Sequence, residues 1–228
     1  MARTRLCILG ASLLLLGGCI QVDMHFLVRS DGSGRLTTRM TMAADSPAAG
    51  MAEMGGEMTG TFSEESARQQ AAQYGPGVTF VRFREIDDGE ITGMEAVYDF
   101  ENISLVRAAP LSEGEGGMEA ATQEVAFLFS PDEGGTLTIN LPDQTASEGA
   151  PPEEMDEMTL GMQASMMKGM MAGMHIRMAV EIEDGIAEAN TRNVRDNVVT
   201  VYEIDAVGRI AWDPVRRTMM ATVVGQPA

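Results

Sequence analysis

The chain has 228 residues and a formal charge of −18, from 34 acidic residues against 16 basic ones. A field of that sign repels DNA, RNA and anionic lipid headgroups, which excludes nucleic acid as a partner. The only cysteines are Cys7 and Cys19, so the chain beyond residue 19 has neither a free thiol nor a disulfide, and its stability must come from packing.

The first element is a targeting segment. Arg3 and Arg5 precede an apolar run from Leu6 to Leu16, which ends in Leu16-Gly17-Gly18-Cys19. A positive start, a short apolar stretch and small residues at its end describe a signal peptide. The run is too short to cross ~30 Å of hydrocarbon, which needs about 20 residues. A cysteine placed directly after the small residues resembles the lipobox of bacterial lipoproteins. That resemblance implies cleavage before Cys19, a lipid on its sulfur and an acylated N-terminus, with palmitate as a typical chain. The alternative is an ordinary secretory signal with an incidental cysteine. Residues 1–18 are then the signal peptide and residues 19–228 a single exported domain. Losing Arg3 and Arg5 leaves it 14 basic residues against 34 acidic, a net −20. No later apolar segment approaches 18 residues, so membrane attachment rests on the lipid, and several acyl chains hold stably where one does not. The expected location is the bacterial cell envelope, periplasm-facing or surface-exposed. Ile20, standing where an Asp would retain a Gram-negative lipoprotein at the inner membrane, points to the outer membrane.

Hydrophobic periodicity beyond Cys19 reads mostly as strands. Val22, Met24, Phe26 and Val28 alternate with polar residues, Asp31-Gly32-Ser33-Gly34 makes a turn, and Leu36, Thr38, Met40 and Met42 alternate again. This is a hairpin starting directly at the anchor. A Gly/Met/Ala-rich stretch at about 43–60 reads as a mobile loop. Ser63 is a suitable N-cap for a helix to about Tyr74, with Glu64 and Glu65 in its first turn. Gly75-Pro76-Gly77 stops it. A second hairpin joins Val78–Ile86 to Ile91–Phe100 through Asp87-Asp88-Gly89, and a third joins Thr122–Phe129 to Thr136–Leu141. A linker at about 142–152 leads to a second helix, Glu153–Met171. The fourth strand pair is Met174–Glu183 with Asn197–Ile204, and Thr218–Val224 is a candidate last strand. The sum is an α+β fold, an antiparallel sheet of about eight strands in hairpins with two helices packed on one face. A split near residue 145 into two units is the alternative.

No motif for catalysis is present in the mature chain: G-x-S-x-G, a phosphate loop and H-E-x-x-H are all absent. The two histidines, His25 and His175, fall within predicted strands. Each could pair with a carboxylate, but no nucleophile accompanies them. Asp31-Gly32-Ser33-Gly34 lacks the remaining ligands of a calcium loop. The chain therefore reads as non-enzymatic, with no catalytic residues, no metal site and no cofactor.

Methionine is the unusual feature. Of 20 in the chain, nine fall between Met155 and Met178. Met155, Met158, Met162, Met166 and Met170 cover about 120° of a helix, one stripe. Three roles are open to that stripe. It can pack as core, since Met fills irregular gaps. It can line an adaptable apolar groove for acyl chains or a protein partner. Or its thioethers can hold Cu(I), against which stands the lack of compact Met/His clusters.

Several segments together resemble the LppM-like family of bacterial lipoproteins. They are the strand after Cys19 running into Asp31-Gly32-Ser33-Gly34, then Tyr98-Asp99-Phe100-Glu101-Asn102-Ile103, then Met174–Ile182 running into Glu183-Asp184-Gly185-Ile186, Ala189-Asn190 and Asp196-Asn197-Val198-Val199-Thr200-Val201. Asp184 and Val201 depart from the Pro and Trp common at those places in the family, and the membrane helix that follows the domain in mycobacterial members is missing. The resemblance implies a helix-on-sheet domain facing the envelope, with a role in binding lipids or glycolipids. The expected function is a lipid-anchored binding module for lipid or acyl chains, or for an envelope protein. The alternative is a structural or assembly lipoprotein with no small ligand.

Overall fold

The structure is a computed structural model, and it describes residues 20–45, 63–108, 125–131, 135–141, 175–204 and 218–223. Cys19, the 46–60 part of the expected loop, the 142–152 linker and the Glu153–Met171 helix with its methionine stripe lie outside the described residues.

The first hairpin forms as its alternation demands. Strands β1 (Ile20–Val28) and β2 (Gly34–Ala43) pair antiparallel from Ile20↔Met42 to Val28↔Gly34. Helix α1 (Glu64–Gln73) follows, and the Ser63 Oγ accepts from the Ser66 backbone N–H at 3.1 Å, satisfying an orphan donor of its first turn. Strands β3 (Val78–Asp87) and β4 (Ile91–Phe100) make the second hairpin, and β4 pairs along the whole of β2. A 3-10 turn at Ile103–Leu105 leads to the short β5 (Arg107–Ala108). The later strands are β6 (Val125–Ser130), β7 (Thr136–Asn140), β8 (His175–Ile182), β9 (Ile186–Ala189), β10 (Val194–Arg195), β11 (Val198–Ile204) and β12 (Thr218–Val223).

These strands form two sheets. The larger has seven strands in the order β10-β11-β8-β1-β2-β4-β3, and the smaller has five in the order β5-β6-β7-β12-β9. The expected single antiparallel sheet of about eight strands is thereby corrected. The described residues hold twelve strands in two sheets, and the larger sheet is mixed, because β1 and β8 run parallel. Among the described residues α1 is the one α-helix, so the fold is sheet-dominated. The physical reason for the parallel pair lies in β1 itself. Its hairpin with β2 satisfies one row of backbone groups, and a buried strand must satisfy the other as well. β8 does so in a register that aligns Val22↔Ile176, Met24↔Met178, Phe26↔Val180 and Val28↔Ile182, which puts these eight apolar side chains on one face.

That face is the core. Phe26, Leu36, Tyr98, Met178, Val180 and Ile182 are fully buried there together with Leu137 and Ile139 of the smaller sheet. The Phe26 and Phe127 rings lie 5.1 Å apart and join the two sheets. Over β3 and β4 the face is closed by α1, which buries Ala67, Ala71 and Tyr74; the Tyr74 ring meets Tyr98 edge-on at 5.0 Å. The Arg68 guanidinium covers the Phe80 ring at 4.4 Å.

Candidate functional site

The opposite face of the larger sheet is polar, and its chemistry is ordered by register. Reading across from β3 to β11, the aligned residues are Arg84, Glu95, Arg39, Asp23, Arg177 and Glu203. Charge alternates at every step of this six-strand row. Opposite charges facing each other across strands stabilise a sheet, and like charges oppose it. Glu95 is the most enclosed member, its side chain only 14% exposed, and it accepts from Arg82 at 3.1 Å and from Arg84 at 3.0 Å. On the same face Arg35 meets both Asp99 oxygens, at 2.8 and 3.4 Å. That carboxylate pushes the Arg35 pKa further up, first by hydrogen bonding and then by its charge.

Both histidines sit on this face, each against a carboxylate. His25 Nε2 lies 3.1 Å from Glu181 Oε2, and His175 Nε2 lies 3.1 Å from Glu203 Oε1. Register sets the two apart: His25 aligns with Ala179, four residues along β8 from His175. They are bridges between neighbouring strands, His25 from β1 to β8 and His175 from β8 to β11. Among the described residues no group of three or more His, Cys, Asp or Glu could hold a metal ion.

The three segments that resemble LppM-like lipoproteins meet at one end of the sheet. The Ile103 N–H donates to the Gly32 carbonyl at 2.9 Å, and the Glu183 N–H donates to the Val28 carbonyl at 2.9 Å. Arg29 Nε lies 3.5 Å from Glu183 Oε2. Asp31 Oδ1 accepts from the Ser33 N–H at 2.9 Å, and the Ser33 side chain, then that N–H, hold the Asp31 carboxyl below its ordinary range. Asn102 Oδ1 accepts from the Ser104 N–H at 2.9 Å, and the Ser104 Oγ accepts from the Phe129 N–H at 2.8 Å. These residues therefore fasten the β1–β2 turn, the β4 exit and the β8–β9 turn together. Their work is structural, which explains how turn motifs so far apart in sequence belong to one joint.

The other end of the sheet is where chain connectivity puts Cys19. Ile20 opens β1, and β1 is the fourth of seven strands. Ile20 follows the predicted lipidation residue directly in sequence. The same end carries the close of β2, the β3–β4 turn and the start of β8: Met42 aligns with Ile20 and Thr92, Ala43 aligns with Ile91, and His175 aligns with Gln21. The Ala44 N–H donates to the Glu90 carbonyl at 2.9 Å. The turn is capped by its own acids. Asp88 Oδ1 accepts from Ile91 N–H at 2.8 Å and Glu90 N–H at 3.0 Å, which hold its pKa below the usual carboxylate value in that order. Asp87 Oδ1 accepts from Gly89 N–H at 3.1 Å.

No described helix is long and apolar enough to cross a membrane. No protein-family model matches the chain, and no curated protein aligns with it. Among solved structures it is similar to the NMR structure of the folded domain of Mycobacterium tuberculosis LppM, with 11% identity, 95% of each chain covered and a TM-score of 0.40. A score that low gives no support to a shared function.

Proposed function

We propose that this chain is a non-catalytic envelope lipoprotein, anchored through lipid on Cys19, that holds acyl chains or an envelope partner at the membrane surface. The observation that supports it is a register. The methionine-rich stretch from Met155 leads directly into His175 and Ile176, which align with Gln21 and Val22 of β1. The stretch therefore joins the sheet two residues from the anchor, where acyl chains are at hand. Met155, Met158, Met162, Met166 and Met170 supply the apolar, adaptable surface such chains need.

Two measurements test this. Cys19→Ala is expected to leave a folded protein that no longer partitions with membranes, because the net charge opposes adsorption. Retention in the membrane fraction after a high-salt wash contradicts the anchor. Mass spectrometry of lipids that co-purify with the Cys19→Ala protein tests the groove. Bound acyl lipid that is lost when Met158, Met162 and Met166 become Ala, at a stability cost near 1 kcal/mol each, supports it. A cost of about 2–5 kcal/mol each with no bound lipid marks the stripe as closed core. The assembly reading then replaces the binding one.

A further inference from the structure

We infer that the larger sheet stands on end at the bilayer, with the β3–β4 turn at the headgroup surface and the Asp31–Gly34 turn facing away. The inference rests on the anchor reading above and goes beyond it by fixing an orientation. Three observations carry it.

The first is the position of the anchor. Cys19 is bonded to the opening residue of the central strand, with three strands on either side. A lipid on its sulfur and another on its amino group would both pull on one point of the sheet's axis. No residue lies between Cys19 and Ile20.

The second is which surfaces can reach the membrane. Around Phe26 and Tyr98 the apolar face of the larger sheet packs against α1 and the smaller sheet, and at the anchor end Val22 and Ile176 are buried too. The polar face would have to press its paired ions, Arg35–Asp99 and Glu95 with Arg82 and Arg84, against the headgroups and strip their water. At the end beside Ile20 the described residues hold a single pair of this kind, His175 with Glu203. That end offers the half-buried Ile20 and Ile91 beside the Asp87–Glu90 turn.

The third is charge. Asp45, Asp87, Asp88 and Glu90 gather at this end, while the nearest row containing arginine begins at Asp23 and Arg39, three strand residues inward. Such a tip meets zwitterionic headgroups, whose ammonium groups point outward, and is repelled by anionic ones. The partner surface is therefore a zwitterionic leaflet. The nine residues of β1 at ~3.3 Å each then raise the opposite end about 30 Å from it.

The test uses the lipidated, full mature protein in phosphatidylcholine vesicles. Cys19 is its only cysteine and is blocked by lipid, so Glu90→Cys and Asp184→Cys each introduce a single reactive thiol at an exposed position. Each is labelled with a fluorophore, and headgroup-linked quencher lipid is added. The Glu90→Cys label is expected to lose most of its emission and the Asp184→Cys label almost none. A protein that floats with the vesicles yet loses emission equally at both sites, or more at Asp184→Cys, overturns the orientation while leaving the anchor intact. A protein that does not float overturns the anchor and the orientation with it.

Discussion

Two residues show how local chemistry sets the limits of this fold. Tyr98 is fully buried, its hydroxyl donates to Gln70 Oε1 at 3.3 Å, and burial pushes its pKa from 10 up to about 12. The folded protein therefore keeps a proton that the unfolded chain loses near pH 10. The associated stability is intact below pH 10 and falls as the pH rises toward 12, by on the order of 1 kcal/mol per pH unit. Denaturant unfolding between pH 9 and 12 should show that decline, and Tyr98→Phe should make it shallower, leaving the share of Tyr74 and Tyr202, whose pKa values burial also raises, while lowering stability at neutral pH through the lost hydrogen bond. Gly32 is the second case. Its φ is +81°, and a Cβ there would lie 2.6 Å from the Phe129 ring. Gly32→Ala should cost at least about 1–2 kcal/mol from backbone strain alone, measured as a shift of the urea midpoint. The Asp-Gly-Ser-Gly run announces a turn, but the packing of Phe129 onto that glycine is a long-range contact with no local trace.

At the scale of elements, the row of alternating charge joins six strands that the chain visits in a different order. Each strand by itself displays only an exposed charge, which reads as a solvated face. Asp23 is an interior member of the row, aligned with Arg39 on one side and Arg177 on the other. Asp23→Lys would set three cations in line and is expected to destabilise the sheet by about 1 kcal/mol. The penalty should shrink as salt is added, since exposed charges are screened. A penalty indifferent to ionic strength would mean that Asp23 acts through packing instead. Helix α1 is the contrasting element. Ser63 as N-cap and the stop at Gly75 both follow from local sequence, and the helix ends where those residues put it.

At the scale of the molecule, the two sheets share one core of aliphatic and aromatic side chains rather than a paired strand. Phe127 comes from the smaller sheet, is 4% exposed and meets Phe26 of the central strand. Phe127→Ala is expected to cost about 3–5 kcal/mol. Part of that cost, about 0.5–1.5 kcal/mol, should appear as coupling to Phe26→Ala in a double-mutant cycle. Calorimetry reads it, and a single cooperative transition in the parent protein that splits in the variant would show that the sheets had been one folding unit only through this contact. The proposed lipid anchor, the acidic tip and the distal joint of turns belong to this scale too, since each depends on which end of the central strand a residue occupies.

The sequence by itself determined the local elements. Period-two alternation from Val22 to Met42 produced β1 and β2, Asp-Gly turns closed the hairpins at Asp31 and Asp87, and Met174–Glu183 and Thr218–Val224 anticipated β8 and β12 to within a residue or two at their ends. Burial of one face per strand is a property of neighbours in sequence, so it can be read there. The partner on a strand's second edge cannot, because backbone hydrogen bonds carry no side-chain label. Only the tertiary structure decided that β8 runs parallel to β1, that β6 and β7 leave for a second sheet, and that the short β5, β9 and β10 pair at all. It also decided that His25 and His175 meet Glu181 and Glu203 on the polar face. Those choices follow from covering the greatest apolar area while leaving no central strand edge unpaired, and that balance exists only when the whole chain is folded.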